Sequence, residues 1–244
     1  MIAEESQVWL IGVNVTISSG FAAVSAFDKS DVHIAGGVLQ RAADSNYYAG
    51  LLVGSGHVTM QGMTIRDMQD SIDINGSGSV DLVDVDSSQP TDVLIDNPSG
   101  TNTNGVFVTD ASSLNLGSAR LLIRNAGQSY GGTSGAVFIT NDSTLDAGAN
   151  LIVSGSQGQG LIVTNNSHAT LAGSSITGGL HGGLVAANLS SIDIQQASSL
   201  TLVGANKPDL FCDSSSYIVG TSNLSGVPST NCTNLVQSEY SSLP

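Results

Sequence analysis

Apolar and polar residues alternate along most of this chain, and small polar turns break the alternation at regular intervals. The phrase recurs as Val24-Ser25-Ala26-Phe27-Asp28, Leu51-Leu52-Val53-Gly54, Ile72-Asp73-Ile74-Asn75-Gly76 and Val106-Phe107-Val108-Thr109-Asp110. It continues as Val137-Phe138-Ile139-Thr140-Asn141, Leu161-Ile162-Val163-Thr164-Asn165, Leu184-Val185-Ala186-Ala187-Asn188 and Leu210-Phe211-Cys212-Asp213-Ser214. Spacing of two predicts strands, and no stretch carries the 3.6-residue rhythm of a helix. The turn residues from Asp28 to Ser214 lie 22 to 34 residues apart. A repeat of that length predicts a solenoid, in which each unit buries its apolar face only by stacking on its neighbours.

The clearest unit runs Gly160-Leu161-Ile162-Val163-Thr164, Asn165-Asn166-Ser167, Ala169-Thr170-Leu171, Gly173, Ser175-Ile176-Thr177. It predicts three short strands separated by two tight turns and one looser loop. Glycine recurs at the second turn as Gly36, Gly62, Gly117, Gly148 and Gly173, where a sharp bend calls for positive φ. Near the start, Val8-Trp9-Leu10, Gly12 and Val15-Thr16-Ile17 supply a second and a third strand. No first strand is recognisable before them. The expectation is a chain that begins mid-coil, with residues 1–7 covering the open end or with more protein preceding it; the second is favoured.

The rhythm of Gly160-Leu161-Ile162-Val163, Ala169-Thr170-Leu171 and Ile176 resembles the right-handed parallel β-helix repeat family, the pectin-lyase-like superfamily, over residues 8–220. The fold expected is therefore all-β: a single-stranded right-handed parallel β-helix with three parallel sheets and about eight coils. One domain spans 1–244, with 208–244 as capping coil and tail. The resemblance leaves activity open, because the superfamily holds lyases, hydrolases, epimerases, adhesins and phage tailspikes.

Composition narrows the partners. Twenty acidic residues against six basic ones give a net charge of −14, so nucleic acid and anionic membrane surfaces are repelled. Forty per cent apolar residues exclude disorder, and no apolar run is long enough to insert in a membrane. Cys212 and Cys232, the only cysteines, are read as a disulfide staple on the last coil. That reading implies an oxidising, extracellular or periplasmic compartment for a secreted chain; two reduced thiols are the alternative. Asn-x-Ser/Thr sequons begin at Asn14, Asn75, Asn141, Asn165, Asn188, Asn223 and Asn231.

Aligning the phrases sets Ser25, Leu52, Asp73, Phe107, Phe138, Ile162, Val185 and Phe211 outward on the first sheet. From Phe107 to Phe211 that row is wholly apolar, which on an exposed surface calls for a cover. A second copy of the chain, the tail Leu235-Val236-Gln237-Ser238-Glu239-Tyr240 or side loops, and a bound ligand are the three candidates. The corresponding second-sheet row is polar: His33, Thr59, Asp81, Asn115, Asp146, Thr170 and Asp193.

Asp70 and Asp73 are the catalytic candidates. Gln69-Asp70 ahead of Ile72 looks faintly like the acidic motif of polygalacturonase-like glycosidases, and Gly179-Leu180-His181-Gly182 like their Gly-His-Gly. About four rungs, near 19 Å, separate His181 from Asp73, too far for one mechanism. Tyr47, Tyr48 and Tyr130 are candidate sugar-stacking residues in loops beside the first sheet. Asp84 and Asp86, with Asp92, are candidate calcium ligands in an insertion; no other cofactor is implied, and the scattered histidines do not suit zinc. Arg66, Asp96 and Arg124 align as an alternating charge ladder. The resulting expectation is a non-catalytic structural or interaction module that self-associates through the apolar row. The alternative is a polysaccharide-binding protein, lyase or glycoside hydrolase working on the same face.

Overall fold

Each turn of the chain lays one strand into each of three parallel stacks. The computed structural model describes residues 2–42, 49–84, 91–97, 103–127, 134–147, 150–177, 182–194, 201–203, 209–220, 230–232 and 235–236. They form an all-β parallel solenoid of about seven turns. The eighth phrase, at Leu210, opens a further turn that is described as far as Gly220.

The first stack contains β1 (Ile2–Glu4), β3 (Ala22–Phe27), β5 (Ala49–Gly54), β8 (Asp70–Asn75), β11 (Asn104–Val108), β14 (Gly135–Ile139), β17 (Gln159–Thr164), β20 (Leu184–Ala187), β23 (Leu210–Cys212) and β25 (Thr230–Cys232), paired in that order. The second contains the first half of β4 (Asp31–Arg41), then β6 (His57–Gln61), β9 (Ser79–Leu82), β12 (Ser113–Asn115), β15 (Thr144–Asp146), β18 (His168–Leu171), β21 (Ser191–Ile194), β24 (Tyr217–Val219) and β26 (Leu235–Val236). The third contains the second half of β4, then β7 (Thr64–Arg66), β10 (Val93–Asp96), β13 (Leu121–Arg124), β16 (Leu151–Ser154), β19 (Ser175–Thr177) and β22 (Thr201–Val203).

Two features differ from the sequence reading. The second and third stacks are hydrogen-bonded into one sheet, because β2 (Gln7–Ile17) pairs with β4 along both their lengths. β4 then pairs with β6 through Asp31–Ala35 and with β7 through Val38–Gln40. The bend between its halves falls at Gly36 and Gly37, whose φ values are 67° and 101°. The first strand thought missing is also present: Ile2, Ala3 and Glu4 pair with Ser25, Ala26 and Phe27. Three residues without a following Asn or Gly turn carry too little pattern to be read as a strand.

Alternation fills the interior. In β10, β13 and β16 the inward residues Val93, Ile95, Leu121, Ile123, Leu151 and Val153 are buried, while their neighbours face outward. The apolar core continues from Leu10 to Ile218 without a break. Each such aliphatic side chain contributes about 1.5–3 kcal/mol by leaving water. The second-turn glycines adopt the expected left-handed conformation, with φ of 57° at Gly62, 51° at Gly117 and 61° at Gly173; Gly148 lies outside the described residues.

The turn between the first and second strands is stapled from rung to rung by two ladders. Asn141, Asn165 and Asn188 each take φ near 55°, a conformation asparagine tolerates better than most residues. Their amides reach back one rung. Asn141 Nδ2 donates to Thr109 Oγ1 at 3.1 Å, Asn165 Nδ2 to Thr140 Oγ1 at 2.9 Å, and Asn188 Nδ2 to Thr164 Oγ1 at 3.2 Å. Beside them runs a column of buried serines. The backbone N–H groups of Ser112, Ser143, Ser167 and Ser190 donate to the hydroxyl oxygens of Ser143, Ser167, Ser190 and Ser216, all at 3.1–3.2 Å. These hydroxyls satisfy donors that a tight buried turn would otherwise strand. The column stops at Ser112 because the turn below offers Gly78, whose N–H is already given to Asn75 O.

At the C-terminal end, Cys212 and Cys232 are in-register partners on β23 and β25 and form a disulfide, with Cα atoms 4.4 Å apart.

Candidate functional site on the first sheet

Strand pairing fixes the outward row of the first stack. Ser25 pairs with Leu52, Leu52 with Asp73, Asp73 with Phe107, Phe107 with Phe138, Phe138 with Ile162, Ile162 with Val185, and Val185 with Phe211. Every member of the expected row thus stands on its neighbour at the strand spacing of about 4.8 Å. The rings of Phe107 and Phe138 pack at 5.5 Å with their planes tilted by 60°. Leu52, Asp73, Phe107, Phe138 and Phe211 keep partial access to water, while Ile162 and Val185 are 5% and 9% exposed and Ser25 is buried. The row is therefore open at Leu52–Phe138 and at Phe211, and closed between them by the chain's own surroundings.

Asp70 and Asp73 belong to the same strand, and the charge of Asp70 acts on Asp73. Asp70 sits beside Asn104, whose backbone N–H and Nδ2 both donate to Asp70 Oδ1 at 3.1 Å. Asn104 is 6% exposed and accepts the Gly135 N–H at its own Oδ1, at 3.1 Å. Burial raises the Asp70 carboxyl above its ordinary range, against the pull of the Asn104 bonds. Asp73 is pushed up to about 6, first by burial and then by the negative charge of Asp70, with a smaller push from Asp110. The one opposing contact is Asn75 Nδ2, which donates to Asp73 Oδ1 at 3.3 Å. A carboxyl so placed holds its proton in mildly acidic solution, when ordinary carboxyls are ionised.

Tyr47, Tyr48, Tyr130, Asp86 and His181 lie outside the described residues. Asp84 accepts from Thr91 Oγ1 at 3.3 Å, and Asp92 is engaged by Arg120. Among the described residues no group of three or more His, Cys, Asp or Glu side chains is arranged to hold a metal ion. His33, His57 and His168 all sit on the second stack, with Nδ1 facing a hydroxyl on the next rung: Thr59 at 2.7 Å, Ser79 at 2.9 Å and Ser191 at 2.7 Å.

Arg66, Asp96 and Arg124 do stand in register on β7, β10 and β13. The expected charge ladder is nevertheless not made: Asp96 accepts from Asn125 Nδ2 at 3.3 Å, and both arginines project into solvent. The strong pair is Arg120 with Asp92, joined by two bonds of 2.6 and 3.0 Å. The sequence reading missed that pair, since Asp92 looked like part of an acidic loop and Arg120 precedes its strand. It also missed Asn104, whose importance follows only from the register that sets it against Asp70.

The second stack carries a different feature. Trp9 is 59% exposed and stacks on His33 with ring centroids 5.1 Å apart. The pair borders a shallow recess of about 250 Å³, lined also by Ile11, Ala35, Thr59 and Gln61. It lies on another face of the solenoid from Asp73.

No protein-family model, no curated protein and no solved structure matches the chain.

Proposed function

We propose that the chain is a non-catalytic structural and interaction module that self-associates through the outward row of its first sheet. The observation that supports this reading is the register itself, which stacks Phe107, Phe138, Ile162, Val185 and Phe211 on consecutive rungs, with Phe107, Phe138 and Phe211 the members left open to a partner. A row with a strand-spacing period of about 4.8 Å fits best against another row of the same period, and a second copy supplies one. Charge favours this face over the second-sheet row. Two chains of net charge −14 repel, so contact is easier on a row with few carboxylates than on one with several. The first-sheet row carries Asp73 alone, whereas the second-sheet row carries Asp81, Asp146 and Asp193. The Cys212–Cys232 disulfide supports an extracellular or periplasmic setting, and no helix among the described residues is long and apolar enough to cross a membrane. Light scattering of the wild type and a Phe107→Asp/Phe138→Asp variant tests the reading. The wild type is expected to associate and the variant to elute as monomer; a wild type that is monomeric at both about pH 5 and about pH 7.5 removes the idea.

A second reading, a carbohydrate-active protein of the pectin-lyase-like kind, is favoured by one observation. Asp70 and Asp73 present two carboxyls with raised proton affinity on the face beside the Phe107–Phe138 ring pair. Acidic and neutral polysaccharides, offered with and without calcium, should then bind and release products. Null results throughout dispose of this reading.

A further inference from the structure

Asp73 interrupts the face through which two copies would meet. It stands between Leu52 on β5 and Phe107 on β11, and neither of these strands carries a charged side chain. Its own strand adds Asp70, and the turn after β11 adds Asp110; both are acidic and both act on it. Asn75 gives it one neutral hydrogen bond. An ionised Asp73 covered by a second apolar row would lose its remaining water with no cation to replace it, at a cost of several kcal/mol. A protonated Asp73 carries no such penalty and brings a donor that the partner's polar atoms can accept.

From this geometry we infer that self-association through the first-sheet row is acid-gated by Asp73: copies join when its carboxyl is protonated and part when it is ionised. The inference rests on the self-association reading above. The direction follows from the chemistry of an acid. Covering the carboxyl favours the form that holds the proton, so association takes up a proton and weakens as pH rises. The raised proton affinity of Asp73 sets the change in mildly acidic solution rather than near the bulk of the chain's carboxyls.

Sedimentation velocity at about pH 5 and about pH 7.5 tests it, comparing wild type, Asp73→Asn and Asp73→Leu. Asp193→Asn serves as control, removing one carboxylate from the second-sheet row and so matching the change in net charge. Wild type and the control are expected to associate at least about 30-fold more tightly at the lower pH, the change in the protonated fraction of one such carboxyl over this range. Both Asp73 variants should associate at both pH values. If they keep the wild-type pH dependence, or if Asp193→Asn flattens it equally, the gate is overturned while self-association stands. Wild-type association of equal strength at both pH values has the same meaning. Should no protein associate at either pH, the self-association reading itself falls.

Discussion

Asp73 and Phe107 are direct partners across β8 and β11, so the one carboxyl of the outward row stands beside the first of its aromatic residues. Burial at that place, with the negative charge of Asp70, raises Asp73 to about 6. Asp73 also marks where the apolar row ends.

The raised carboxyl makes stability depend on pH. Because the folded chain holds this proton more tightly than the unfolded one, Asp73 favours the folded state fully below the ordinary carboxyl value of 3.8. That advantage is lost as pH rises through about 6. Asp73→Asn should remove the dependence in this window and stabilise the protein near neutral pH by on the order of 2 kcal/mol. Thermal melts of both proteins between about pH 4 and 8 check this; parallel curves would contradict it.

The asparagine ladder should matter more than its exposure suggests. Asn165→Ala deletes the bonds from Nδ2 to Thr140 Oγ1 and Asn141 Oδ1, at 2.9 and 3.2 Å. It also places alanine at a φ of 55°. A loss of about 1–3 kcal/mol is expected in chemical denaturation, and Asn165→Gly, which keeps the backbone but not the amide, should recover part of it. The sequons at Asn141, Asn165 and Asn188 read differently in this light. Their asparagines are committed to the ladder, and their serines Ser143, Ser167 and Ser190 are buried in the adjoining column.

The disulfide closes a segment of 20 residues at one end of the solenoid. Reduction should therefore loosen that end by about 3 kcal/mol in the chain-entropy account. Limited proteolysis should then cut after Phe211 in reducing buffer and not in oxidising buffer, leaving the remaining turns intact because each depends only on its neighbours. Equal cleavage in both buffers would contradict the staple.

Charge pairs on the third stack should separate cleanly. Arg120→Ala breaks the two-bond contact to Asp92 and is expected to cost about 0.5–1 kcal/mol, the pair being half exposed. Arg66→Ala, which breaks no such contact, should change the denaturation midpoint by less than the error of measurement.

Much of this was legible in the chain. The turn phrases give the register of the first stack rung by rung, since a one-residue slip would turn each apolar triplet inside out. Asp73, Phe107 and Phe211 consequently fall where alignment of the phrases sets them. Burial along the row was not legible, because Ile162 and Val185 look identical to exposed positions until the surrounding chain is in place. The serine column was hidden for another reason: serine reads as a polar turn residue, and only stacking reveals Ser143, Ser167 and Ser190 as buried acceptors. Arg66, Asp96 and Arg124 show the converse limit. Alignment gives their register correctly, but register does not dictate which partner a long side chain takes when Asn125 lies closer to Asp96.

If the first-sheet row meets a second copy of itself, engineered cross-linking across the row reports the contact. Both native cysteines are consumed in the Cys212–Cys232 bond, so a single added thiol reports on contact alone. Phe138→Cys, in the open part of the row, with half of the protein first activated as the pyridyl disulfide so that thiol exchange proceeds in acid, should form a covalent dimer near pH 5, while Asp193→Cys on the second stack, treated alike, should stay monomeric. Equal dimer yields from the two positions, or none from Phe138→Cys, would contradict the account.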